Sequence, residues 1–106
     1  MKRIAYHKLV RDKIPQMIEA SGRQAIVQAA DRETRLLLLE EKLKEELEEY
    51  LKSRELEELA DLLEVMHGVV DHAGHTWEEL ESLRLKKKQE RGGFEEGIVL
   101  LEVVEE

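Results

Sequence analysis

Two apolar stripes at helical spacing, with almost no chain between them, constrain this sequence more than any other feature. Leu36, Leu39, Leu43, Leu47 and Tyr50 recur in steps of three and four, the period of one helix face. Leu56, Leu59, Leu62, Leu63, Val65, Met66, Val69 and Val70 follow in a second helical segment. The short connection leaves room only for a tight reversal, which predicts an antiparallel helix hairpin. The second stripe is wider than the usual apolar arc of about 100°. That helix is expected to be the most buried, touched on more than one side.

Capping residues set the remaining boundaries. Asp12 is a suitable N-cap for a short first helix, with Pro15 inside its first turn and a stop at Gly22. Asp31 caps the second helix, which runs to about Lys52, and Ser53 caps the third, which stops at Gly74. Thr76 opens the fourth with a capping box, "TWEE", whose Glu79 stands three positions on. That helix ends at "RGG". The stretch "RQAIVQAA" around Ile26 and the tail "GIVLLEVV" are β-branched and apolar, and predict a short two-stranded ribbon docked on the helices. The expected fold is mainly all-α: one domain over residues 1–106, a helical bundle built on the hairpin.

The chain carries 25 acidic and 17 basic residues, a formal net charge of −8. That balance disfavours nucleic acid, whose phosphates need a basic surface, but a metal cation would still admit a small phosphorylated ligand. There is no cysteine, hence no disulfide and no Cys-ligated zinc. No apolar run reaches the roughly 18 residues of a membrane span, and the basic N-terminus lacks the apolar core of a secretory signal. A cytoplasmic protein without membrane contact is expected. A chain of 106 residues buries a modest fraction of its surface, so an oligomer sharing its core is expected too.

The hairpin concentrates acid where its arms meet. Lys44 to Val65 holds eight Glu and one Asp in twenty-two residues. Glu46 and Glu49 lie on one flank of the second helix, and Glu58 and Asp61 repeat the three-residue step on the third. Carboxylates converging beside apolar side chains cannot all stay ionised alone. Either they form a solvated face, or something positive sits among them. A hard divalent cation such as Mg²⁺ takes oxygen ligands and shares its sphere with substrate phosphates.

The pattern "EELEE" followed by "ELAD" resembles the E-E-x-x-E…E-x-x-D signature of the MazG-like, all-α nucleotide pyrophosphohydrolases, a superfamily that includes phosphoribosyl-ATP pyrophosphohydrolase and the dimeric dUTPases. The blocks "YHKLVRDKIP" and "RLKKKQERGGFEEGIVL" look like the opening and closing blocks of its small phosphoribosyl-ATP-pyrophosphohydrolase-like branch, so the resemblance reaches over nearly the whole chain. It implies a Mg²⁺-dependent hydrolase, with Mn²⁺ as the alternative ion, that releases pyrophosphate from a nucleotide in a house-cleaning or biosynthetic role. It further implies metal ligation by Glu46, Glu49, Glu58 and Asp61, catalytic roles for Glu45 and Glu49, and a homo-oligomer, dimer or tetramer, whose pocket is completed across subunits. The interval between the two acid motifs is shorter here than in many relatives.

Basic groups for the phosphates come from Lys8, Arg11 and Lys13 in the opening block, and from Lys87, Lys88 and Arg91 at the end of the fourth helix. The last three also suit a helix C-terminus as simple dipole partners. Phe94 is expected to dock the tail, Trp77 to anchor packing, and His72 and His75 to complement the end of the third helix. Glu64 and His67 carry the E-x-x-H spacing of di-iron bundles, but His67 lies on the opposite side of its helix from Glu58, while Glu64, one turn beyond Asp61, is a candidate auxiliary ligand for magnesium. The rival reading is a non-catalytic helical module that binds nucleotide or dimerises on the same fold.

Overall fold

A computed structural model describes residues 2–106. The chain is mainly helical: α1 (Ile14–Ala20), α2 (Arg32–Ser53), α3 (Leu56–His72) and α4 (Trp77–Arg91). α2 and α3 form the expected antiparallel hairpin, and α4 folds back along α3 more loosely. No strand forms among the described residues. The ribbon expected from Ile26 and the tail is therefore absent within the chain, for both segments lie exposed and neither reaches a partner.

The caps explain where the helices begin. The Asp31 side chain accepts from the Thr34 N–H at 2.8 Å, and the Thr76–Glu79 capping box is complete in both directions. Two expected caps move. A turn from Arg11 to Ile14 precedes α1, so Lys13 takes the N-cap position and Asp12 lies inside the turn. At the hairpin, Arg54 adopts a left-handed conformation (φ 59°) that ends α2, and its N–H closes on Tyr50 O at 2.7 Å. Glu55 is then the N-cap of α3, and Ser53 Oγ accepts from its N–H at 3.2 Å.

The core is thin. Leu39 is the one buried residue among those described, at 8% exposure. It lies against α3 at Gly68, where a Cβ would stand 3.0 Å from Leu39 Cδ2, so glycine lets the two backbones approach. Trp77 stacks on His67 with ring centroids 3.7 Å apart and pins the start of α4 to α3, the anchoring expected of it. α3 is the most enclosed of the helices, as expected, with more than half of its residues partly covered, yet none of them is fully buried. α2 covers one side of its wide apolar arc and α4 part of another, while Leu56, Leu59, Leu63 and Met66 remain exposed. Phe94 does not dock the tail; it is 99% exposed. No helix is long and apolar enough to cross a membrane.

Candidate metal centre

The hairpin brings Glu46 of α2 together with Glu58 and Asp61 of α3. One carboxylate oxygen from each lies within 4.8 Å of the others, and all three residues are half-buried. The antiparallel reversal at Arg54 makes this possible, since it sets the end of α2 against the start of α3. Glu49 is exposed and its oxygens are not part of that set. Its charge is still felt there. The Glu58 carboxyl is pushed above its usual range, first by desolvation and then by the charges of Asp61, Glu49, Glu46 and Glu57.

The positive charge that the acid run calls for is supplied by the chain itself. Lys42 Nζ lies 3.5 Å from Glu45 Oε2 and 3.5 Å from Glu46 Oε1, with its side chain only 18% exposed. Arg11 Nη2 donates to Asp61 Oδ1 at 2.7 Å, and Lys8 Nζ lies 3.8 Å from Glu45 Oε1. Sequence reasoning missed Lys42, although its three- and four-residue steps to Glu45 and Glu46 are a legible signal.

The basic candidates thus divide. Lys8 and Arg11 come to the acid cluster, and Lys13 makes no ion pair among the described residues. Lys87, Lys88 and Arg91 line a separate open groove of about 630 Å³ with Gly92, Gly93 and Phe94, and no residue of the acid cluster lines it. Gly92, at φ 85°, turns the chain there. A second groove, about 410 Å³ and mostly apolar, runs between α3 and α4 beside Leu63, Met66, Trp77 and Leu80. The His67 ring is engaged with Trp77, which speaks against a di-iron role with Glu64. His75 Nδ1 lies 3.0 Å from Glu79 Oε2 rather than at the α3 carbonyls, whereas His72 closes α3 and its own carbonyl accepts from Arg32 at 3.1 Å.

Three carboxylate oxygens suit a hard, oxygen-seeking divalent cation better than zinc or copper, which favour nitrogen and sulfur ligands. The set can hold such an ion once Arg11 and Lys42 share or release their acids. Comparison with family models, curated proteins and solved structures returned no match to the chain.

Proposed function

We propose that the chain is a magnesium-dependent nucleotide pyrophosphohydrolase, cleaving the α–β phosphoanhydride of a nucleoside triphosphate, or of a phosphoribosyl-ATP-like nucleotide, to monophosphate and pyrophosphate. The observation that carries this reading is the convergence of Glu46, Glu58 and Asp61 from two helices within 4.8 Å. Mg²⁺ held there, or Mn²⁺ in its place, supplies neutralisation of phosphate charge and a more acidic water. Glu49 adds a ligand from the α2 flank or takes the proton of the attacking water, with Glu45 orienting it. Lys8 and Arg11, already at the acids, turn to the phosphate oxygens and stabilise the charge that grows on the leaving pyrophosphate. Lys87, Lys88 and Arg91 offer a second phosphate contact from the end of α4.

The test incubates purified protein and Mg²⁺ with a panel of nucleoside triphosphates and measures pyrophosphate and monophosphate. Glu49→Gln and Asp61→Asn are expected to lower release by about 100-fold or more. Parent-level release from both variants overturns the assigned roles.

A second reading is a non-catalytic nucleotide-binding or dimerisation module. It is favoured by the ion pairs of Lys8, Arg11 and Lys42, which already offset Glu45, Glu46 and Asp61 without a metal. Nucleotide binding by calorimetry without turnover selects it.

A further inference from the structure

The chain exposes far more surface than its mass allows a free-standing domain. A compact protein of 12.4 kDa presents about 6,100 Å². This one presents 10157 Å², with a radius of gyration of 19.1 Å against roughly 13 Å for a compact chain of its length. Burying even a quarter of that excess exceeds the ~800 Å² per partner of a standard interface.

Two apolar segments outside the helices lie open in this way. The apolar residues from Ile98 to Val104 are between 71% and 86% exposed, and Ile26 and Val27 are 77% and 65% exposed. Among the described residues, neither Gln24–Gln28 nor Ile98–Glu106 makes a backbone–backbone hydrogen bond. Two β-branched segments outside any helix, with idle backbone N–H and C=O groups, can serve each other as strand edges. Their charges match as well. Glu95, Glu96, Glu102, Glu105 and Glu106 accompany the tail, while around the Ile26 segment Arg23, Arg32 and Arg35 outnumber Asp31 and Glu33 by one.

We propose that the tail of one copy pairs as a strand with the Ile26–Val27 segment of a second copy. Two such ribbons, related by a two-fold axis, join the chains. The topology favours exchange over pairing within one chain. α4 runs back toward the start of α3, as Arg84 beside Leu63 records, so the tail departs near the hairpin turn. The Ile26 segment leads into α2 at the other end, where Arg32 meets His72. α2 alone spans about 33 Å. In an antiparallel pair of hairpins, opposite ends become neighbours and each tail meets the other copy's segment. The second copy then also covers the exposed leucines of α2 and α3.

This inference requires neither metal nor nucleotide, so its test is independent of the hydrolase reading. The full chain is first weighed by light scattering, where two chains or more are expected and a single-chain mass overturns the proposal. The protein has no cysteine of its own, so introduced ones report unambiguously. Val27→Cys and Leu100→Cys are made singly and together, then oxidised mildly. The double variant is expected to link into covalent dimers, with either single variant linking at least several-fold less. A disulfide closed within one chain, or Leu100→Cys alone linking as fully as the double variant, overturns it.

Discussion

Arg11 donates to Asp61 across fifty residues of sequence, at 2.7 Å, and so places a guanidinium on one of the three acids that converge between α2 and α3. The same carboxylate cannot serve the arginine and a cation equally well. Removing Arg11 therefore has opposite effects on two measurements. An exposed pair of this kind contributes up to about 1 kcal/mol, or roughly fivefold in affinity. Arg11→Gln is expected to tighten Mn²⁺ or Mg²⁺ binding by up to that factor in calorimetry while lowering pyrophosphate release. Weaker metal binding in the variant rules out the competition.

Glu58 predicts a pH dependence with a definite sign. Its carboxyl is raised above 4.5 in the folded chain, by desolvation first and neighbouring acids second. The stability it contributes is therefore fully present below pH 4.5 and lost as pH rises through the raised value. Above that raised value the metal-free protein carries a Glu58 charge that the fold disfavours. Glu58→Gln is expected to raise the Tm at pH 7 in chelator and leave it nearly unchanged at pH 4. An added divalent cation is expected to raise the Tm of the parent more than that of the variant.

The capping box of α4 runs the other way. Glu79 lies below its usual 4.5, held there by His75 first and by the Thr76 backbone. Its contribution is present above that pH and fades as acid titrates the folded carboxylate. Thr76→Ala is expected to cost about 1 kcal/mol in denaturant unfolding at pH 7. Hydrogen exchange should localise the loss to α4; a loss spread evenly over the hairpin contradicts the assignment.

The contact of Leu39 with Gly68 gives a packing prediction. Gly68→Leu forces a side chain into a gap where even a Cβ stands 3.0 Å from Leu39 Cδ2, and should destabilise by about 1–3 kcal/mol. Gly68→Ala should fall within about 1 kcal/mol of the parent, because the helix gain of about that size offsets the crowding. A Leu variant as stable as the Ala variant in urea unfolding means the helices meet elsewhere.

Much of the local structure was legible from residue type. Asp31 and Thr76 start their helices as expected because a short side-chain oxygen satisfies an N–H of the first turn, a matter of three or four residues. The leucine spacing announced the hairpin for the same kind of reason. Ser53 and Asp12 were less legible. Each is a competent cap, but the left-handed turn at Arg54 and the turn at Arg11 displaced the helix starts. The β-branched residues at Ile26 and in the tail suggested a ribbon, but no strand forms among the described residues, because strand formation needs a partner that residue type alone does not supply.

The sequence by itself determined the helices, the caps at Asp31 and Thr76 and the acid spacing, because each depends on neighbours a turn or less away. Only the tertiary structure decided which carboxylates meet. Glu46 meets Glu58 and Asp61, Glu49 stands outside that set, and Lys42 on Glu46 and Arg11 on Asp61 are the cations beside it. Those contacts depend on the crossing of α2 with α3 and on the path of residues 2–13, which are set by packing across the chain rather than by local preference.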